Sequence, residues 1–354
     1  MSKNIINLGI AGLGWMGTLH FRSIPQESGI RVTAMYDIDP ERVEFGRENG
    51  LKAYSNLEAF LGDSDIDAVL VATPNNVHKE LAVASLKAGK HVISEKPAVL
   101  NTEELEEIIQ ASHESGKLFT VHHNRRWDRD YLAIKRTIES GKIGEPFYIE
   151  SRVQAANGIA NEWRKHKEFG GGLLYDWGVH LIDQVLNLVD SPVTEVYAHL
   201  LSVHYKDVDD NSRVILKFEN GLSALIQMDT SVFNKLPRWH VSGETGTVVI
   251  AGFDGEGSVV TGNVEEVVWK PDMKSNTIGP SRTMAYRPGD KKEDVHPATE
   301  FDSNSWIHFY SNVKAAIDGA EELKIKPEEC LRVTRIIDAA FKSSAEGVAV
   351  KGKF

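Results

Sequence analysis

Gly12-Leu13-Gly14-Trp15-Met16-Gly17 follows the apolar run 5–11, and Asp37 closes a second apolar run twenty residues after Gly17. A glycine pattern between a strand and a helix, with an acid at that distance, is what a dinucleotide needs. Gly12 permits the tight turn, Gly14 lets the backbone approach a pyrophosphate, and Gly17 lets the helix pack on the strand. The helix opening at Trp15 and Met16 presents free N–H groups and a positive end to the phosphates. Asp37 accepts hydrogen bonds from ribose hydroxyls. A carboxylate there repels a 2′-phosphate, and no arginine directly follows it (Arg42 is nearest), so NAD is favoured over NADP.

Two further groups carry chemistry. Ser94-Glu95-Lys96-Pro97 ends an apolar run at 91–94, and a lysine at the carboxyl end of such a strand points toward a ligand; the alternative is a solvated surface lysine. Gly170-Gly171-Gly172-Leu173-Leu174-Tyr175-Asp176-Trp177-Gly178-Val179-His180 has helical period after its glycines. Asp176 and His180, four apart, are expected on one helix face, the carboxylate orienting the imidazole and favouring its charged form. Oxidising an alcohol by hydride transfer requires a base, and histidine suits neutral pH; a structural Asp–His pair is the alternative. Thr73, Pro74, Asn75 and His78 occupy a loop placed to cover a nicotinamide ribose, or form an ordinary turn. His122-His123-Asn124-Arg125-Arg126-Trp127 stands at the next strand end, with Asn124 and Arg125 as candidates for polar substrate groups; its arginines suit surface or interdomain contacts equally well. Trp163, Arg164 and His166 are placed to line a pocket mouth. The histidine pairs lack metal-ligand spacing, so no catalytic metal is expected.

These residues must be held by ordered elements, and 354 residues suffice for two domains. Hydrophobic residues make up 41% and charged residues 26%, as in ordinary globular proteins. The net charge of −11 carries no basic block, which makes nucleic acid and anionic membranes poor partners. The one cysteine, Cys330, excludes an intrachain disulfide and reads as a core filler on a helix. No run reaches membrane-spanning length, and a cytoplasmic location is the expectation.

Strand-like runs at 5–11, 31–36, 67–72, 91–94 and 118–122 alternate with helical segments. Among these, Pro40 opens 40–49, Ser55 and Glu58 form a capping box, and Asn101 and Glu104 open a helix that Gly116 closes. Such alternation predicts a parallel sheet covered on both faces, with ligands beyond its carboxyl ends. A helix at 127–140, a strand at 146–154 and a long helix at 172–189 come next. Successive strands then run from 194 to 269, with a type I′ turn at Asn220-Gly221. The polar stretch 270–300 reads as a surface excursion, a lid or an oligomer contact, and helices at 303–318 and 327–346 close the chain. The fold class is therefore α/β followed by an α+β half built on a mostly antiparallel sheet.

Taken together, these motifs resemble those of the Gfo/Idh/MocA oxidoreductases, which include glucose–fructose oxidoreductase and inositol dehydrogenase. The resemblance spans nearly the whole chain. It rests on Gly12-x-Gly14-x-x-Gly17, Ala72-Thr73-Pro74-Asn75, Glu95-Lys96-Pro97, Asn124-Arg125-Arg126 and the glycine-led block from Gly170 through Asp176 and His180 to Asp183. It implies a Rossmann NAD-binding domain over 1–123. A substrate-binding and oligomerisation domain with a large open sheet would occupy 124–354, its C-terminal helix packing back on the first domain. By resemblance, Lys96 holds the reacting hydroxyl and orients the nicotinamide, Asp176 positions substrate and His180, and His180 is the general acid/base. The implied substrate is a small polyhydroxylated molecule, and the implied assembly is a homodimer or homotetramer through the open sheet face. A glycoside-cleaving or epimerising enzyme that retains its NAD, and a non-catalytic nucleotide sensor, are the alternatives.

Overall fold

Buried apolar strands set the first half of the fold. The computed structural model describes residues 5–160, 162–262 and 302–354, with the strand backbones of 272–276, 279–283 and 292–296. β1 (Ile6–Ala11), β2 (Ile30–Tyr36), β3 (Lys52–Tyr54), β4 (Ala68–Val71), β5 (His91–Ser94) and β6 (Phe119–Val121) form one sheet in the order β3-β2-β1-β4-β5-β6. Every neighbouring pair runs parallel. All four residues of β4 are buried, as expected of a strand covered on both faces. The covering helices include α1 (Trp15–Ser23), α2 (Pro40–Glu48), α4 (His78–Lys87) and α5 (Thr102–Ser115). Asn101 caps α5 through Glu104 N at 2.9 Å. The short α3 (Leu57–Leu61) is capped by Asn56 through Ala59 N at 2.8 Å. The expected Ser55–Glu58 box is therefore one residue out of phase; the amide one position on reaches the free N–H group.

The second sheet contains β7 (Pro146–Gln154), β8 (Val193–Leu201), β9 (Asn211–Phe218), β10 (Ser223–Asp229), β11 (Trp239–Gly243), β12 (Gly246–Ile250) and β13 (Gly257–Thr261). With the strands at 292–296 and 350–351 it has nine members, antiparallel except where β7 meets β10. The reversal at Asn220-Gly221 is not the expected two-residue turn. Phe218 N meets Leu222 O at 2.8 Å, Gly221 N returns to Phe218 O at 3.0 Å, and Gly221 takes φ +91°. That is a three-residue loop with its glycine in the left-handed position. The reading of 270–300 as a lid or oligomer contact falls largely outside the described residues.

One face of this sheet packs on α6 (Arg129–Glu139), α7 (Val179–Leu188) and α9 (Pro327–Glu346), around Val214, Leu216, Ile226 and Trp239. α8 (Ser305–Ile317), capped by Asn304, delivers Phe309 and Tyr310 to the first core. α9 spans both cores: Cys330 packs in the first and Val333 and Ile336 in the second. Burial pushes the Cys330 thiol well up, so it fills the core and is no nucleophile. Each fully buried apolar side chain here contributes about 1.5–3 kcal/mol.

Candidate active site

A cavity of about 870 Å³ lies along the carboxyl ends of β2, β1, β4 and β5. It is lined by Asp37 at the end of β2, Gly12, Gly14, Trp15 and Met16 after β1, Thr73, Pro74, Asn75 and His78 after β4, and Glu95 and Lys96 after β5. Adjacent strands lie about 4.8 Å apart, so the cavity crosses roughly 14 Å of sheet edge, the reach of an extended dinucleotide. Gly12 takes φ +93°, and a Cβ there would meet Thr73 Cγ2 at 2.8 Å. A Cβ on Gly17 would stand 2.0 Å from Gly12 O. One on Gly14 meets only the Arg42 guanidinium, at 3.4 Å, so the loop beside Gly14 is open rather than packed. Gly14 caps α1 without a side chain, leaving the first-turn N–H groups available to an anion. The residues present fit a dinucleotide.

Asp37 is buried and accepts from Leu13 N at 2.8 Å and Asp39 N at 3.0 Å. Arg42 reaches back to Asp37 Oδ2 at 3.5 Å from a half-exposed position on α2. The sequence places no arginine directly after Asp37, but one helical turn folds Arg42 against it. The carboxylate therefore comes with a cation able to meet a 2′-phosphate.

At the other end of the cavity Lys96 Nζ donates to Asp176 Oδ1 at 2.8 Å and to Asp176 O at 2.9 Å. Arg164 Nε lies 3.4 Å from the same carboxylate oxygen. Burial would raise the Asp176 pKa, but the Lys96 and Arg164 charges overcome it and hold the carboxyl below its ordinary value. Asp176 makes no bond to His180, contrary to the expectation from their four-residue spacing. The backbone over Leu174–Gly178 is a π-turn, which adds a residue per turn and breaks the α-helical phase between the two side chains. His180 is buried, no hydrogen bond among the described residues engages its ring, and Nδ1 is enclosed without a partner. Burial, then the Lys96 and Arg125 charges, hold its pKa well below the ordinary imidazole value, so the ring is neutral. The sequence expectation of a charged imidazole is reversed.

Residues 6–123 match the oxidoreductase family with an NAD-binding Rossmann fold, and residues 131–249 match the GFO/IDH/MocA C-terminal domain. The chain belongs to the Gfo/Idh/MocA oxidoreductase family. It is 31% identical over 293 residues to scyllo-inositol 2-dehydrogenase (NADP(+)) IolW of Bacillus subtilis, covering 82% of this chain and 80% of that protein. It is 28% identical over 253 residues to myo-inositol 2-dehydrogenase of Thermotoga maritima, covering 69% and 74%. An NAD-binding protein from Listeria innocua has a solved structure that superposes with a TM-score of 0.90 at 39% identity, covering 99% of this chain and 100% of that one. No helix among the described residues is long and apolar enough to cross a membrane.

In this Gfo/Idh/MocA chain several candidate residues serve as braces. His78 sits with Nδ1 2.9 Å from Pro97 O and Nε2 2.9 Å from Thr73 O, clamping the two loops that border the cavity. Asn75 Nδ2 donates to Gly170 O at 2.9 Å and so ties the β4 loop to the triple glycine. Arg126 does not face the cavity: it forks onto Asp183 at 2.8 and 2.6 Å and also pairs with Glu329. Arg125 pairs with Asp128 at 2.7 Å and lays its guanidinium 4.2 Å over Trp177, whose ring centroid is 6.2 Å from that of His180. Asn124 is half-buried in the short turn before α6. Arg164 lies 4.6 Å over Trp163, and both line the cavity mouth, whereas His166 is exposed.

His122 is buried, with Nδ1 2.8 Å from Glu95 Oε1, and does not line the cavity. His20 Nε2 reaches the same oxygen at 2.7 Å, and its Nδ1 meets Tyr310 Oη at 2.5 Å. The three side chains His20, Glu95 and His122 are close enough to surround a cation, but their separations are those of N–H···O hydrogen bonds. No sequence pattern marks His20 or Tyr310; they come from α1 and α8, and their partners are set only by packing.

Proposed function

We propose that the protein is an NAD(H)-dependent dehydrogenase exchanging hydride between nicotinamide and a secondary hydroxyl of an inositol, a sugar or the sugar part of a glycoside. The observation that carries this reading is the bond between Lys96, on the cavity wall after β5, and Asp176, which opens the helix leading to His180. An ammonium has three donors. Two are taken by Asp176, which leaves one N–H for a substrate oxygen. A bound nicotinamide supplies the acceptor for hydride during oxidation. His180, already neutral, takes the hydroxyl proton, while Asn124, Arg125, Trp163 and Arg164 border the substrate. The inositol dehydrogenases among its relatives support a polyhydroxylated ring as substrate class.

NAD is the preferred cofactor in this reading because Asp37 occupies the ribose end, and Arg42 leaves NADP usable. The domain division falls near residue 123, where the first sheet ends. The outer face of the second sheet carries the cross-strand row Tyr197, Ile215 and Leu225, with Tyr197 and Ile215 exposed. An apolar row of this kind suits pairing of two copies into a dimer or tetramer.

A nicotinamide-absorbance screen over inositols, aldoses and glycosides, with NAD and NADP, tests the reading. Turnover is expected with at least one polyol. His180→Asn should keep cofactor binding and lose about 10²–10⁴ in kcat. Full turnover by that variant would refute the role given to His180, and cofactor binding without turnover on any polyol would refute the substrate class.

A further inference from the structure

Arg164 is a cation short of a counter-charge. Its side chain is only 13% exposed, yet among the described residues no hydrogen bond engages its guanidinium. The guanidinium carbon lies 4.6 Å over the Trp163 ring, and Nε lies 3.4 Å from Asp176 Oδ1. The two terminal nitrogens are left without a partner among the described residues, on the wall of the cavity. A guanidinium withdrawn this far from water is destabilising unless its N–H donors are met. Nor is it a loose surface arm. The carbonyl of Arg164 accepts from Gly172 N at 3.0 Å, and the indole of Trp163 supports the side chain.

The charges around it do not cancel. Asp176 Oδ1 already accepts from Lys96 Nζ at 2.8 Å, so one carboxylate serves two cations. Arg125, the next cation, has Asp128 at 2.7 Å, and His180 is neutral. The other acids on the cavity wall are engaged elsewhere. Glu95 faces His20 at 2.7 Å and His122 at 2.8 Å, and Glu162 pairs with Lys165 at 2.7 Å. Glu80 lies 3.9 Å from Lys79, and Asp37 stands at the opposite end with Arg42. One positive charge is therefore unmatched beside Lys96. Arms of 2.8 and 3.4 Å from a single oxygen keep Lys96 Nζ and Arg164 Nε within about 6.2 Å of each other.

We infer that Arg164 receives a carboxylate of the substrate, which narrows the polyol class to sugar acids. This rests on the dehydrogenase reading above, in which the third N–H of Lys96 holds the reacting hydroxyl. The hydroxyl and the carboxylate then belong to one small molecule, a few bonds apart. A planar guanidinium offers paired N–H groups that match a carboxylate. A carboxylate brings one negative charge, the amount unmatched here, whereas a phosphate monoester brings nearly two. The cofactor's own phosphates fit less well. Their glycine cradle follows β1 and Lys96 follows β5, two strands away in the sheet, or about 10 Å.

The test is calorimetric titration of the NADH-loaded protein, in which no hydroxyl can be oxidised. The probes are D-glucuronate, D-galacturonate, D-gluconate and D-galactonate, each against its neutral counterpart D-glucose, D-galactose, sorbitol or galactitol. At least one acid should bind about 10–10² times more tightly than its counterpart. The amide of that acid keeps the shape without the charge and should bind as the neutral counterpart does. Arg164→Met should bring acid and counterpart within about threefold of each other. If that variant does not accumulate as folded protein, the amide comparison on the parent protein decides alone. The inference is overturned if no acid is preferred by more than about threefold, if the amide binds as tightly as its acid, or if the preference survives Arg164→Met. Loss of NADH affinity in Arg164→Met with the acid preference intact would assign the guanidinium to the cofactor phosphates and overturns it too. Turnover of neutral polyols without acid preference leaves the dehydrogenase reading standing. Acids bound through Arg164 with no hydride transfer from any of them would sink that reading and leave the carboxylate site.

Discussion

Asp176→Asn isolates the electrostatics of the site with the least change in shape. The Lys96 and Asp176 side chains are 14% and 22% exposed and 2.8 Å apart, so solvent screens the pair only partly. At an effective dielectric constant of about 20, their gross attraction is roughly 6 kcal/mol, most of it offset by the cost of taking both charges out of water. The amide keeps an acceptor for Lys96 but leaves the Lys96 and Arg164 cations without their shared anion. The net loss should be about 2–3 kcal/mol, which corresponds to about 10² in kcat/KM for the polyol if Lys96 must be aimed at the substrate oxygen. Asp176 is not part of the glycine cradle, so the dissociation constant for NAD should stay within about threefold. The assay pairs steady-state kinetics with NAD binding in a double-mutant cycle with Lys96→Met, where a coupling of about 2 kcal/mol is expected. Additive losses, or a kcat/KM within threefold of the parent, would show that the pair only ties two halves of the chain together.

Two further perturbations test other parts of the site. Arg42→Ala removes the cation 3.5 Å from Asp37 and should lower kcat/KM for NADP about tenfold more than for NAD; equal losses would show that Arg42 has no part in cofactor choice. Acid should destabilise the fold earlier than carboxylate titration alone would. His20, His78, His123 and His180 are each held by burial below the ordinary value of 6.5. The unfolded chain therefore takes up protons that the native state refuses as pH falls through 6.5. Stability is whole above that value and lost below it, by up to about 1.4 kcal/mol per histidine at pH 5.5. A thermal midpoint flat from pH 7.5 to 5.5 in calorimetry would contradict the neutral assignments.

The parts of this molecule that were legible in the sequence are those governed by local sterics. Gly12 needs its positive φ and Gly17 its missing Cβ whatever surrounds them, and β4 is apolar at every position because both its faces are covered. Pro40 and Asn101 mark helix starts because capping is a contact within one turn. Side-chain direction was less legible, because it depends on a phase that one inserted residue changes. Asp176 and His180 keep their spacing in the chain and lose their shared face to a π-turn. Partner choice was least legible. His20 meets Glu95 across 75 residues and Tyr310 across 290, and nothing local to any of the three announces it.

The triple glycine shows how the chain makes the site from two distant stretches. A Cβ on Gly170 would stand 2.3 Å from Leu100 Cδ2, one on Gly171 2.2 Å from Arg164 O, and one on Gly172 2.2 Å from Asp209 Oδ1. Each missing side chain is thus a close approach by a different segment: the loop after β5, the turn bearing Arg164, and the strand region that begins β9. Gly171 N and Gly172 N also donate to His166 O at 3.1 Å and Arg164 O at 3.0 Å, which fixes the turn that carries the arginine. The same residues launch the π-turn and set the height at which Asp176 meets Lys96. They allow an ammonium from one sheet and a carboxylate from the other domain's helix to come within hydrogen-bond distance, and with a side chain at any of the three that meeting would be displaced.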